Sequence, residues 1–385
     1  MKEGWKMVKL GEIASYSIGL TYKPTDVVDC NGTIVLRSSN IQDSKLDLSD
    51  IIRVKTKIKD ELYVQNGDIL MCSRNGSAKL VGKVATINEL NEPMTFGTFM
   101  TIIRSIYNPY LFYFFHSNLF KDGMRNSENP MINQITKYML NDVTIPLPPL
   151  EEQHRIVSIL DTSFEKIDAL KKNAEENLKN AKALFQQVLA QELKPKEGWV
   201  EKRIDEIATF YNGKAHEQCI DENGKYILVN SKYISSNTMV GKRTNSQLFP
   251  LYKDDIVMVM SDVPNGKALA KCLIIPTDDT HSLNQRICVF RNSKINVKLL
   301  YYLINRNPYL LSFNNGENQT NLRKNDILKM RLSYPTNEAE VEFVLNRLDE
   351  QINLINELIK NKEQTIRECD ALKQSILRQA FSGEL

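Results

Sequence analysis

Between residues 157 and 188, apolar side chains recur in alternating steps of three and four. They run Val157, Leu160, Phe164, Ile167, Ala174, Leu178, Ala181, Phe185 and Val188, with Lys171 the one polar member. The register returns in the C-terminal part of the chain through Leu345, Leu348, Ile352, Ile355, Ile359, Ile366, Cys369 and Ile376, interrupted by Lys362 and Lys373. A 3-4 repeat held this long describes the a/d seam of a coiled coil rather than the broader stripe of a surface helix. Each helix offers a single stripe, so the expected arrangement is stripe against stripe, antiparallel. A seam of 32 residues spans roughly 48 Å at ~1.5 Å per residue, so whatever flanks the helices should sit near opposite ends of a rod.

The duplication extends beyond the helices. Lys2-Glu3-Gly4-Trp5 returns as Lys196-Glu197-Gly198-Trp199, and Glu12-Ile13-Ala14 as Glu206-Ile207-Ala208, an offset of 194. Further on the offset is 187: Gly67-Asp68-Ile69-Leu70 answers Asp254-Asp255-Ile256-Val257, Ile103-Arg104 answers Phe290-Arg291, and Pro148 answers Pro335. This is one unit written twice, not a solenoid of short repeats. Four segments follow: a module over 1–149, a central long helix over 150–193, a second module over 194–335 and a C-terminal long helix over 336–385.

Within the modules the apolar runs are short. Thr33–Leu36, Ile69–Cys72, Val84–Ile87 and Phe99–Arg104 read as strands in the first, and Tyr226–Val229, Ile256–Met260, Cys272–Ile275 and Arg286–Phe290 in the second. One helix is expected after each set, over Tyr110–Leu119 and Val297–Arg306. Gly and Asn cluster in the connections (Asn75-Gly76, Asn265-Gly266, Asn314-Asn315-Gly316), which marks turns. The fold class is therefore α+β, two sheet-dominated modules alternating with two long helices in a pseudo-twofold arrangement. Pro146-Leu147-Pro148-Pro149 is expected neither to continue a strand nor to lie inside a helix, and so to form a stiff hinge. Glu151 and Glu152 then fall in the first helical turn, where the dipole favours acids. Pro335 and Asn337-Glu338 give the second copy its boundary and cap, and Pro195 stops the first helix.

Charge sharpens the picture through its distribution. The chain totals 50 Lys and Arg against 47 Asp and Glu, a net +3. The modules together carry +9 and the helices −6, and a positive globular part suits a polyanion. Six scattered cysteines with no C-x-x-C suggest reduced thiols in a cytoplasmic protein. No apolar stretch approaches a membrane span, and the N-terminus lacks a signal core.

Catalytic chemistry finds little to rest on. Asn108-Pro109-Tyr110 and Asn307-Pro308-Tyr309 each lack one proline of an amino-methyltransferase motif and read as helix starts. Phe96-Gly97-Thr98-Phe99 is too short for a cofactor loop. Gly76 to Gly82-Lys83 has the wrong spacing for a phosphate-binding loop. The four histidines form no metal-ligand spacing. No catalytic, cofactor or metal residue is therefore expected.

Recognition remains. Arg74, Asn75, Lys79 and Lys83 form a basic turn after a strand in the first module. Asn265 and Lys267 hold the equivalent place in the second. A further polar stretch precedes each helix: Gln134, Thr136 and Lys137, then Gln319, Asn321, Arg323 and Lys324. Such side chains can bond base edges or phosphates, although each could equally be a solvated turn. On the second helix Leu354, Leu358, Leu372 and Leu377 either widen the seam or offer a face to a partner.

Pro146-Leu-Pro-Pro-Leu-Glu-Glu-Gln153 before a heptad helix, the Gly-Trp start of each module, Asp68-Ile69-Leu70 before Arg74-Asn-Gly, and the tail Ile376-Leu-Arg-Gln-Ala-Phe-Ser-Gly383 together carry a resemblance. The chain resembles the specificity subunit of type I restriction–modification systems over its whole length. The resemblance implies two target-recognition domains, each reading half of a bipartite site on double-stranded DNA. It implies helices that set the spacer and dock two methyltransferase subunits, with restriction and motor subunits joining the full complex. S-adenosylmethionine and ATP would belong to those partners, leaving this chain without cofactor or activity of its own. Residues 333–338 depart from the pattern, with Ser-Tyr-Pro-Thr-Asn-Glu in place of the proline-rich hinge. Modules reading one face of B-DNA should lie about one turn apart, ~34–36 Å, which the rod accommodates. A scaffold that spaces bound proteins without touching DNA is the alternative, and strong salt dependence of duplex binding would separate the two.

Overall fold

The run Ile69–Cys72 contains no polar side chain, and it becomes the hub of the first module. In the computed structural model, which describes residues 2–125, 134–263, 266–314, 316 and 319–385, it lies inside a four-stranded antiparallel sheet. The order is Ser15–Ile18, Met100–Arg104, Ile69–Cys72, Val84–Thr86. Successive strand residues face opposite ways. Ile69 and Met71 enter one core with Tyr110, Phe114 and Leu160, while Leu70 and Cys72 enter another with Ile34, Leu36 and Phe96. A strand with a core on each face has no place for polar residues, which is why its sequence does not alternate.

The second module repeats this with Thr209–Asn212, Ile287–Arg291, Ile256–Val259 and Cys272–Ile274 in the same order. Ile256 and Met258 face one core, Val257 and Val259 the other. Registers match across the duplication: Tyr16 pairs with Ile103, and Phe210 with Phe290. Each module adds a second sheet built on a parallel pair, Met94–Phe96 beside Thr33–Leu36 and His281–Leu283 beside Tyr226–Val229. Of the strands expected from sequence, Thr33–Leu36, Ile69–Cys72 and Tyr226–Val229 keep their bounds and the rest shift by a residue at one or both ends.

A two-stranded ladder ties the start of each module to its end, Lys6–Lys9 against Thr144–Leu147 and Val200–Arg203 against Arg331–Tyr334. This corrects the reading of Pro146, which lies inside a strand opposite Met7. The Leu10 amide donates to the Val143 carbonyl (2.8 Å), and the antiparallel alternation then makes Met7–Pro146 a non-hydrogen-bonded pair. The missing N–H points away from the ladder, where an edge strand tolerates proline. The rigid segment is thus shorter, Pro148 and Pro149 alone. The helix expected over Tyr110–Leu119 is Asn108–His116. Ser117 breaks it, its hydroxyl donating to the Phe114 carbonyl (2.6 Å) and accepting from the Phe120 amide (3.3 Å). The Asn-Pro-Tyr pieces do start helices, Asn307 accepting from the Tyr309 amide at 2.9 Å.

The long helices run Leu150–Glu192 and Glu338–Ser382. Asn337 caps the second, accepting from the Ala339 amide (2.9 Å). All ten seam positions expected on each helix are buried or half-buried. The chain packs as two compact units, Met1–Asn177 with Asn361–Leu385 and Leu178–Lys360. In the first, Lys171 pairs with Asp370 (2.6 Å) and Lys373 with Asp168, so the two helices run antiparallel there. Both lysines keep half-buried stems in the seam and turn their ammonium groups to an acid on the facing helix. Ile156, Leu160, Leu377 and Phe381 join the module's core. In the second unit Leu189, Leu345, Leu348 and Ile352 join that module's core, and Arg347 pairs with Glu192 (2.8 Å). Leu377 is buried in the first unit, whereas Leu354, Leu358 and Leu372 are exposed.

Candidate nucleic-acid interface

Where the hub strand of the first module ends, three segments of chain are stitched together. The Ser73 and Arg74 amides both donate to the Phe99 carbonyl (2.9 and 3.1 Å), and the Ile135 amide donates to the Ser73 carbonyl (2.7 Å). Arg74 and Gln134 form an isolated antiparallel bridge. The second module repeats two of these three bonds and the bridge at equivalent positions: Met260 donates to the Arg286 carbonyl (3.0 Å), Leu322 to the Met260 carbonyl (2.8 Å), and Ser261 pairs with Asn321. The two polar stretches singled out in each module, far apart in sequence, therefore meet on one rim. The hub strand holds that rim from within.

The side chains differ in how far they are committed. Asn75 donates to the Ser38 hydroxyl (3.2 Å) and accepts from the Ser77 amide (3.0 Å). Thr136 caps the short helix Lys137–Asp142, accepting from the Met139 amide (3.3 Å). Gln319 donates to the Ser261 hydroxyl (2.8 Å). These three shape the rim. Lys79, Lys83, Lys137, Lys267 and Asn321 are exposed and Gln134 is half-buried, and their side chains make no hydrogen bond among the described residues. Lys324 lies 5.7 Å from the Phe210 ring centre. Arg323 is exposed immediately before the helix Lys324–Leu328. Asn265 lies outside the described residues.

Two rim positions were not legible beforehand. Phe99 is 54% exposed, and its ring carries the Arg74 guanidinium at 5.5 Å. Arg286, its equivalent, is exposed with φ at +66°. Both sit in the tight turn that leads into the strand beside the hub. The repeat offset could have paired them, but nothing in Phe99 suggests recognition until its carbonyl is seen gathering Ser73 and Arg74.

The buried thiols are chemically quiet. Burial pushes the Cys72, Cys272 and Cys288 thiols above their usual range, which keeps them protonated. Among the described residues no His, Cys, Asp and Glu cluster could hold a metal ion, and no helix is long and apolar enough to cross a membrane.

Comparison with known proteins gives a concordant result. The family described as "Type I restriction modification DNA specificity domain" matches residues 2–180 and again residues 196–368. The specificity subunit of the StySPI type I restriction enzyme from Salmonella potsdam is 25% identical over 424 residues, covering 100% of this chain and 90% of that one. A chain solved in work on complex assembly and conformational transition of the type I R-M system superposes with a TM-score of 0.74 at 19% identity, covering 100% and 99%. The HsdS subunit from Thermoanaerobacter tengcongensis gives 0.51 at 18% identity, covering 100% and 98%.

Proposed function

Because the chain belongs to the type I restriction–modification DNA specificity family, we propose that its function, DNA sequence recognition, is divided between the two rims, each reading one half of a split site. The observation that carries this is the repeated junction. Two of its backbone hydrogen bonds and its bridge recur at a constant sequence offset, while the side chains they present do not. Arg74 and Gln134 in one module correspond to Ser261 and Asn321 in the other. A common backbone with different donor and acceptor sets suits two different base sequences, that is, an asymmetric target.

The lysines around each rim supply phosphate contacts, which hold the module in register without reading sequence. The long helices fix the number of unread base pairs between half-sites, about half a turn to one turn of B-DNA. The exposed Leu354, Leu358 and Leu372 serve to dock methyltransferase subunits. In this reading adenine methylation and cleavage, with S-adenosylmethionine and ATP, belong to those partners and to the motor subunits. The chain itself contributes no reacting group.

The test is single-molecule sequencing of DNA modified by this chain with partner methyltransferase subunits, against those subunits alone. The expected result is a new N6-methyladenine motif in two parts separated by an unspecified spacer. A single contiguous motif would overturn the division of labour, and partners that bind without creating any motif would favour a protein scaffold.

A further inference from the structure

Arginine usage separates the rim from the rest of each module. Every other module arginine whose side chain the structure describes donates to an acceptor, as Arg53 does to Glu92 and Arg306 to the Lys267 carbonyl. The guanidinium groups of Arg74, Arg286 and Arg323 have no hydrogen-bond or ion-pair partner among the described residues, and all three residues are exposed on a rim. Arg323 stands at a helix start, where Thr136 stands in the other module. Arg74 and Arg286 are related differently.

Residues 74 and 99 are joined through the Phe99 carbonyl; at the equivalent positions the Arg286 carbonyl accepts from Met260, the residue next to Ser261. The first pair is Arg and Phe, the second Ser and Arg. Each junction thus carries one unpartnered guanidinium, supplied from the hub strand's end in one module and from the facing turn in the other. In the first, the Arg74 guanidinium lies over the Phe99 ring, 5.5 Å from its centre and within cation–π range. In the second, Arg286 is exposed on a left-handed backbone whose carbonyl accepts from the Met260 amide (3.0 Å). Glycine would hold φ of +66° without strain, so a residue kept there for the turn alone would have no use for a guanidinium.

We infer that Arg74 and Arg286 are the guanine-reading side chains of the two half-sites, each placing its planar pair of N–H donors on O6 and N7 in the major groove. A guanidinium is the side chain whose fork matches that edge bidentately. This inference rests on the proposed division of the target between the rims. It adds that each half-site contains a G·C pair read by the junction arginine.

The experiment uses the complete complex of chain and methyltransferase subunits, with Arg286→Ala, Arg286→Gly and Arg74→Ala compared with the parent chain. The glycine variant removes the side chain while relieving the backbone, so a folding defect confined to the alanine variant would be distinguished. Modified motifs are sequenced, and binding to duplexes randomised in each half-site is measured. Both Arg286 variants should relax one G·C position in one half-site, with discrimination falling roughly ten- to hundredfold, and leave the spacer and other half unchanged. Arg74→Ala should do the same in the other half. An unchanged motif, relaxation at a position without a G·C pair, or a uniform loss of affinity with a shallower salt dependence would overturn the inference, the last by marking phosphate contacts. Failure of the parent chain to yield any split motif would instead overturn the proposed function on which it rests.

Discussion

The Arg104 guanidinium closes on the Asp68 carboxylate through two hydrogen bonds, Nε to Oδ1 at 2.8 Å and Nη2 to Oδ2 at 2.7 Å. Arg291 does the same to Asp255 in the second module, at 2.8 and 2.6 Å. Both carboxylates are buried beside the hub strands, and each also accepts a backbone amide, from Gln65 or Tyr252. Arg291 is the less exposed of the two arginines and lies 4.5 Å from the Tyr252 ring centre. Arg291→Ala strands a buried charge and should cost about 3 kcal/mol; Arg104→Ala should cost less. The chain has two tryptophans, Trp5 in the first unit and Trp199 in the second. Denaturant unfolding read through Trp199 in a Trp5→Phe background checks the first value, and a cost under about 1 kcal/mol, the size of an exposed pair, would refute it.

His116 gives the first unit a pH dependence. Its Nδ1–H donates to the Phe112 carbonyl (2.8 Å), and its Nε2 lies 2.7 Å from the Ser44 hydroxyl, which can serve the ring as donor or acceptor. Burial lowers its pKa, Lys373 and Lys121 push the same way, and the Phe112 carbonyl and Asp168 oppose. The unfolded chain then binds the proton more readily than the folded one, so stability is present above the ordinary histidine range and lost as pH falls below about 6.5. Unfolding followed through Trp5 in a Trp199→Phe background should show a drop between about pH 7.5 and 5.5. His116→Gln should flatten that drop; an unaltered slope would show that other groups cause it.

The seam ion pairs are worth little by themselves. Lys171 and Asp370 are both partly exposed, so removing either should change stability by no more than about 1 kcal/mol, and less at high salt. The neighbouring pair, Asp168 and Lys373, should behave alike. A double-mutant cycle on each pair measures this, and a coupling above about 2 kcal/mol, beyond what exposed pairs deliver, would contradict it.

Lys137 and Lys324 occupy equivalent positions at the start of equivalent short helices. Assigned to phosphates, each should lower the salt-dependence slope of duplex binding by about 1 when changed to alanine, with no change in preferred sequence. Titration of the complex over a range of salt checks both. A sequence-dependent loss would move either lysine to the base-reading set.

What the sequence revealed followed from physics that acts locally. Ile69–Cys72 declared itself because a strand with core on both faces must be apolar throughout, and the heptad seam because one stripe must meet another. Pro146 misled because its tolerance depends on which side of a ladder its nitrogen faces, a fact of pairing with Met7 rather than of composition. Met94–Phe96 and Lys6–Lys9 escaped notice for the same reason, each being completed by a distant strand. Phe99 and Arg286 were hidden by their dissimilarity. Equivalent backbone places in a duplicated protein stay recognisable through carbonyls and amides, while the side chains that distinguish targets are those free to diverge.

The hub strand has a thermal consequence. With both faces packed, Ile69–Cys72 and Ile256–Val259 can exchange their amide protons only when two cores open together, so they should rank among the slowest-exchanging segments. Each rim begins at the next residue and inherits that stillness. The backbone there has little freedom left to lose when the rim meets a groove, so discrimination between bases should show mainly in how long the complex lives rather than in how fast it forms.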